Sequence, residues 1–153
     1  MKLSVVMPAQ NEEGSVGATV AGVVQVLERE EVDYEVVVVN DDSEDSTEAV
    51  VNAIGAENPR VRCHRSHYER GFGMAIRAGL DVFEGDAVAI VMADASDDPE
   101  DLVKYHRLLE DGWDCAFGSR FICSSSGTIG SHSSAFAEVA TPGATKQKSM
   151  TTP

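Results

Sequence analysis

The sequence predicts an α/β fold, a mainly parallel sheet with helices on both faces. Three observations lead there. Residues 3–7 (LSVVM), 34–39 (YEVVVV) and 87–92 (AVAIVM) are almost solidly apolar, the signature of strands covered on both sides. Between these runs the apolar spacing turns helical, so strand and helix alternate along the chain. A polar cluster follows each strong strand at once, as expected where right-handed crossovers deliver all the carboxyl ends to one edge.

The elements follow in order. Strand 3–7 ends at Pro8, and residues 11–14 form a polar turn. Val16, Val20, Val23, Val24 and Leu27 then keep a helical period, predicting a helix that ends in the charged run 28–31. Strand 34–39 leads into a tight turn at 40–44. Asp45 is placed to cap the next helix, with Glu48 three residues on completing a capping box. Val50, Val51 and Ile54 give that helix its apolar face, and Gly55 suits its C-terminus. Residues 60–65 are a weaker strand candidate. Gly71 and Gly73 mark a turn before a helix over 74–83. After strand 87–92, Asp98 is an N-cap, Pro99 fits the first helical position, Leu102, Tyr105 and Leu109 face inward, and Gly112 stops the helix. Residues 113–117 form a fifth strand.

From residue 122 the character changes. The segment is rich in Ser, Thr, Ala and Gly, has no sustained period, and carries a single acidic residue, Glu138. It is expected to be a disordered, low-complexity tail. A frameshift or gene truncation is one explanation of so abrupt a break; a natural tail is the other.

Composition narrows the function. The 153 residues fit one domain with one core. No apolar run approaches the ~20 residues of a membrane-spanning helix, and the N-terminus lacks a signal peptide's apolar stretch, so a cytoplasmic location is expected. Cys63, Cys115 and Cys123 have no paired spacing that would suit disulfides or a zinc knuckle. His64, His67, His106 and His132 have no metal-ligand spacing either. The net charge of −14 speaks against nucleic acid as a partner.

Four polar clusters carry the chemistry: PAQNE at 8–12, NDDSED at 40–45, ADASDD at 93–98 and GSR at 118–120. On parallel strands all four converge on one edge. Carboxylates with an arginine there suit a divalent cation and a diphosphate: Mg²⁺ and Mn²⁺ favour carboxylate oxygens, and Arg120 can grip phosphate with two N–H groups. Glu12 or Asp41 could accept hydrogen bonds from a base or ribose. Much of the acid has a helix role instead: Asp45 and Asp98 as caps, Glu48, Glu100 and Asp101 at the positive helix ends, Asp42 and Asp97 as turn residues. Asp94 lies two residues beyond its strand, too early to cap, and is the strongest ligand candidate.

In these clusters the chain resembles the family 2 glycosyltransferases of GT-A fold, nearest to the dolichol-phosphate mannose synthase and polyprenyl-phosphate glycosyltransferase branch. PAQNEE stands for that branch's P-A-Y-N-E-E, NDDSEDST for D-D-G-S-x-D-G-T, ERGFGMAIRAG for N-x-G-x-G-x-A-x-x-x-G, MADASDDPE for M-D-A-D-L-S/Q-H-x-P-E, and GSRF for G-S/T-R-Y/F. The resemblance covers residues 3–121. It implies a Rossmann-like nucleotide-diphosphate-sugar domain over 1–121, followed by the tail 122–153. By position, Pro8, Gln10, Glu12, Val39 and Asp41 would hold the base and ribose. Ala93 and Asp94 would lie beside the diphosphate, Asp94 and Ser96 on a Mg²⁺ or Mn²⁺ ion, and Arg120 on the donor phosphates. The implied reaction is metal-assisted, inverting transfer of a sugar from GDP-mannose or a UDP-sugar to an acceptor such as a polyprenyl or dolichyl phosphate, at the cytoplasmic face of a membrane. Two departures stand out: Gln10 replaces the stacking tyrosine, and Met92 replaces the first aspartate of the usual D-x-D. The family's acceptor-binding half follows GSRF and is not visible here, so a non-catalytic nucleotide-sugar-binding fragment is the alternative. A phosphoacceptor signalling domain also gathers aspartates at strand ends, but it wants a lysine after a later strand, and the last strand here leads to Gly-Ser-Arg.

Of the 26 acidic residues, 25 precede Ile122, against ten basic residues of which only Lys2 and Lys104 are lysines. Such a surface suits a high-salt interior, where screening weakens self-repulsion. The melting temperature is therefore expected to rise from low salt to molar salt; a salt-independent melting temperature would contradict this.

Overall fold

The computed structural model describes residues 1–117 and the short strand 136–138. Its elements are β1 (Leu3–Ala9), α1 (Val16–Arg29), β2 (Tyr34–Asn40), α2 (Thr47–Glu57), β3 (Val61–Arg65), α3 (Phe72–Leu80), β4 (Ala87–Ile90), α4 (Pro99–Glu110), β5 (Ala116–Phe117) and β6 (Phe136–Glu138). The sheet order is β3-β2-β1-β4-β6-β5. β1 pairs in parallel with β2 on one side and β4 on the other, β2 pairs in parallel with β3, and β6 runs antiparallel between β4 and β5. The expected mainly parallel sheet is therefore present, and its strand order reverses beside β1.

Period-2 alternation sorts the strands onto two faces. Leu3, Val5, Met7 and Ala9 of β1, Tyr34, Val36 and Val38 of β2, and Ala87 and Ala89 of β4 face one core. Helices α1, α2 and α4 cover it with Val16, Val20, Val23, Leu27, Val51, Leu102 and Leu109. Val6, Val37, Val39 and Val88 face the other side, where α3 packs with Ala75 and Ala78. α3 lies close: a Cβ on Gly79 would collide with the Val6 side chain and stand 3.1 Å from Val39 Cγ2.

Several boundaries differ from the sequence expectation. α2 begins at Thr47, with Ser46 at its N-cap and no side-chain cap bond there. Asp45 instead receives the Thr47 amide at 2.9 Å and the Glu13 amide at 3.0 Å, so it satisfies two loops at once. Glu48 closes no capping box; it accepts from Asn40 at 2.8 Å and pairs with Arg65. Gly55 lies inside α2, where a Cβ would stand 2.8 Å from the Val61 carbonyl. α3 starts at Phe72, two residues early, because the Met74 and Ala75 amides close on the Gly71 carbonyl at 2.9 Å. Gly71 sits at φ +154, a conformation open to glycine and strained for other residues. The fifth strand shrinks to two residues because the Trp113 amide turns back to the Leu108 carbonyl to finish α4, with Gly112 at φ +92. Asp98 does cap α4, accepting from the Glu100 amide at 3.0 Å. Within the expected irregular tail, Phe136–Glu138 form β6; three residues paired across a long span leave no period to read. The rest of 122–153, including Cys123 and His132, lies outside the described residues. Cys63 and Cys115 are free thiols, and burial pushes Cys63 up to about 11.

One charge is buried in the sheet. Glu35 is 5% exposed, on the α3 side of β2. It accepts from Ser4 Oγ and from the Glu84 amide, both at 2.6 Å, and from Arg62 Nη2 at 3.0 Å. Ser4 Oγ in turn accepts from the Gly85 amide at 2.9 Å. Burial alone would raise the Glu35 pKa; the Ser4 hydroxyl, the Glu84 amide and Arg62 outweigh it and hold the carboxyl below its usual 4.5.

Two outcomes follow from this packing. Because the folded pKa lies below the unfolded one, the stability Glu35 contributes is complete above the unfolded value of 4.5 and is lost as pH falls through the folded value. Denaturant titrations between pH 7 and pH 3 should show this acid loss flattened in Glu35→Gln, which should also cost ~2 kcal/mol or more at pH 7 by leaving Arg62 with only the Val82 carbonyl and no carboxylate. Gly79→Ala should lower stability by ~1–3 kcal/mol through overpacking against Val6, read as a melting temperature lower by several degrees.

Candidate functional site

The carboxyl ends of β1, β2 and β4 meet at one edge, and the loops beyond them are laced together. Pro8 and Ala9 of β1 stand opposite Val39 and Asn40 of β2 in the parallel register, and the Asp41 amide donates to the Ala9 carbonyl at 2.9 Å. The Asn11 amide donates to Ser43 Oγ at 3.0 Å, and Asn11 Oδ1 accepts from the Glu44 amide at 2.8 Å. The Glu12 amide reaches Thr47 Oγ1 at 2.8 Å, and Glu13 accepts from the Ser46 amide at 2.9 Å. Asn11 and Asp42 take left-handed backbone, φ +55 in each, which residues of this type tolerate. The short polar loops hold one another rather than hanging free.

Asp41 is the most buried carboxylate of the edge among the described residues. It is 4% exposed. Its Oδ2 accepts from the Gly71 amide at 2.9 Å, which ties the start of α3 to the end of β2. Its Oδ1 is buried and has no hydrogen-bond partner among the described residues. A buried carboxylate oxygen without a donor is costly unless something supplies one. Gln10 is exposed, and its amide lies against the Arg70 guanidinium; turned to face it, the amide oxygen accepts from Nη2 at 2.8 Å. Glu12 is half-buried and accepts from Ser15 Oγ at 2.5 Å.

Across the switch point lies the β4–α4 loop. The β1 ladder continues one step past β4, from the Val91 amide to the Val6 carbonyl at 3.1 Å. The Met92 amide then turns to Asp97 Oδ2 at 2.8 Å, which ends the strand two residues before the sequence suggests. Ala93 is 2% exposed, and its carbonyl accepts from Thr19 Oγ1 on α1 at 3.0 Å. Asp94 and Ser96 are both exposed, with Asp94 Oδ1 accepting from the Ser96 amide at 3.0 Å around Ala95 at φ +60.

The structure thus brings Pro8, Gln10, Glu12 and Asp41 to one side of the edge and Ala93, Asp94 and Ser96 to the other. The Val39 side chain is buried among the α3-side core, so only its backbone belongs to the edge. Arg120 lies outside the described residues. Sequence reasoning missed Arg70 and Gly71 as partners of Gln10 and Asp41; Asp97 has the turn role expected of it, closing its loop on the Met92 amide. The glycine pair at 71 and 73 was a local signal for a turn, but nothing local tied it to Asp41.

Among the described residues no three His, Cys, Asp or Glu side chains are arranged to hold a metal ion. Asp94 with Ser96 nevertheless fits the way Mg²⁺ and Mn²⁺ bind beside phosphates, through one or two protein oxygens with phosphate and water completing the shell. Farther along, at the outer strand, His64 is held below its usual pKa by burial and by neighbouring His67 and Arg62.

The model of the family "Glycosyl transferase family 2" matches residues 4–152. The chain is 31% identical over 122 residues to a dolichol-phosphate mannosyltransferase of Pyrococcus furiosus, covering 80% of this chain and 34% of that protein. It is 29% identical over 122 residues to an uncharacterized glycosyltransferase, YkcC, of Bacillus subtilis, covering 78% and 37%. It therefore spans about a third of the length of these relatives. Among solved structures, glucosyl-3-phosphoglycerate synthase of Mycobacterium tuberculosis in complex with UDP superposes with a TM-score of 0.61 at 25% identity, over 76% of this chain and 42% of that one. The mannosyltransferase PcManGT of Pyrobaculum calidifontis, in complex with GDP-Man and Mn²⁺, superposes with a TM-score of 0.55 at 25% identity, over 66% and 30%. The parallel sheet, its switch-point edge and these matches agree: the chain has the GT-A fold and belongs to glycosyl transferase family 2.

Proposed function

We propose that this chain is the donor-binding half of a transferase that moves a sugar from a nucleoside-diphosphate sugar, GDP-mannose or a UDP-sugar, to an acceptor such as a polyprenyl or dolichyl phosphate at the cytoplasmic face of a membrane. The observation that carries the reading is Asp41 Oδ1, a buried acceptor at the switch-point edge without a donor among the described residues. Guanine and uracil both present a ring N–H that an ionised carboxylate can take. Relatives and neighbours support the same class: their names and titles include a dolichol-phosphate mannosyltransferase and complexes with UDP and with GDP-Man and Mn²⁺.

In this reading Asp41 and the Pro8 to Glu12 turn bind the nucleoside, and the Ala93–Ser96 segment lies along the diphosphate. Asp94 and Ser96 would hold the Mg²⁺ or Mn²⁺, and Arg120 the donor phosphates. When bound, the metal supplies positive charge against the diphosphate. The acceptor phosphate oxygen forms the bond to the anomeric carbon as the bond to the departing diphosphate breaks, with inversion. A phosphate acceptor is already ionised near neutral pH, so the chain needs no strong base for it.

Calorimetric titration of GDP-mannose and UDP-glucose, with and without Mn²⁺, tests the reading. Binding should be metal-dependent; no metal-dependent binding of either compound would overturn it. Asp94→Ala should remove the Mn²⁺ effect, Asp41→Asn should weaken binding about tenfold with Mn²⁺ present, and Asp101→Ala, inside α4, should leave both unchanged.

A further inference from the structure

By the resemblance noted in the sequence, Gln10 takes the position of a stacking tyrosine. A glutamine amide is too small and too mobile to be that surface alone. It is, however, well made to hold one. The Gln10 amide lies against the Arg70 guanidinium, and with its oxygen turned toward it accepts from Nη2 at 2.8 Å and from Nε. Arg70 Nη2 also points to the Asp42 carbonyl at 3.4 Å. The next residue, Gly71, donates its amide to Asp41 Oδ2 at 2.9 Å. The guanidinium is therefore strung between the β1–α1 and β2–α2 loops, on the segment tied to the buried carboxylate.

Two features make this arrangement a surface rather than a surface charge. Arg70 forms no ion pair among the described residues, although the chain carries 26 acidic residues; its partners are neutral oxygens. Hydrogen bonds to a guanidinium lie in its plane and use its edges. Arg70 is exposed, and the flat faces of a guanidinium are weakly hydrated and suited to stacking on aromatic rings.

We propose that Arg70, held by Gln10, is the plate on which the donor's base stacks, replacing an aromatic ring, while Asp41 Oδ1 takes the ring N–H of that base. The inference rests on the nucleotide-donor reading above and adds to it the residue that contacts the base face. Stacking on a guanidinium tolerates any base, so guanine and uracil should depend on Arg70 alike.

The test titrates the full chain with UDP, GDP and the base-free probe ribose 5-diphosphate, each with Mn²⁺. Arg70→Ala should weaken UDP and GDP about tenfold and leave ribose 5-diphosphate within about twofold. Arg70→Lys should lose nearly as much, since an ammonium offers no plate. Gln10→Ala should weaken both nucleotides by less, and Gln10→Tyr in the Arg70→Ala background should recover them. Arg70 is exposed, so unchanged melting temperatures should accompany these losses. An equal loss for ribose 5-diphosphate would overturn the proposal, because Arg70 would then serve the phosphates. So would full binding by Arg70→Lys, or no effect of Arg70→Ala. Wild-type chain that binds none of the three probes would instead bring down the donor reading itself, and this inference with it.

Discussion

Strand β1 has no free side. It is paired in parallel with β2 and β4, and every one of its seven side chains is buried. That constraint decides the rest. Two faces of apolar side chains must be covered, so α1, α2 and α4 are committed to one and α3 to the other. Parallel pairing on both flanks forces crossovers, and crossovers bring the ends of β1, β2 and β4 to a single edge. The crevice at which strand order reverses is thus a by-product of burying β1, and polar loops can occupy it without competing with the core.

The edge is built from hydrogen bonds that cross between loops. Asn11 bonds to Ser43 and Glu44, Glu13 to Asp45 and Ser46, Asp41 to Gly71, and Thr19 to Ala93. Such cross-bracing fixes the positions of acceptors and donors before a ligand arrives, which lowers the ordering cost of binding. It also gives many of the carboxylates gathered there hydrogen-bond donors from the backbone. Asp45, Asp97 and Asp98 take backbone amides, and Glu13 does too. The acid is mostly spent on loop architecture; Asp41 keeps one buried oxygen without a partner among the described residues.

What was legible in the sequence was what is local. A run such as YEVVVV and the spacing Val16, Val20, Val23, Leu27 declare burial within a few residues, and the Asp98–Pro99 start of α4 is a local chemical signal. β6 was not legible, because three residues pairing across the sheet carry no period. Asp45 was misplaced as a cap because its second partner, Glu13, comes from another loop. Glu35 left a trace that could have been followed: a lone carboxylate in a strand otherwise apolar implies a buried partner, here Ser4, the Glu84 amide and Arg62. For the site, the motifs marked Asp41, Asp94 and the loops. The meeting of Gln10 with Arg70, far apart in the chain, needed three dimensions.

The buried carboxylate of Glu35 lies in the first turn of its strand, opposite Ser4, while the polar loops occupy the strands' other ends. Rigidity and chemistry are therefore housed at opposite poles. A lineage carrying this scaffold can exchange residues such as Gln10 or Met92 at the loop pole without disturbing what keeps the sheet folded. Met92 illustrates the freedom: its amide, not its side chain, makes the bond to Asp97. Changes at the loop pole and changes at the Glu35 pole therefore act on separate sets of contacts.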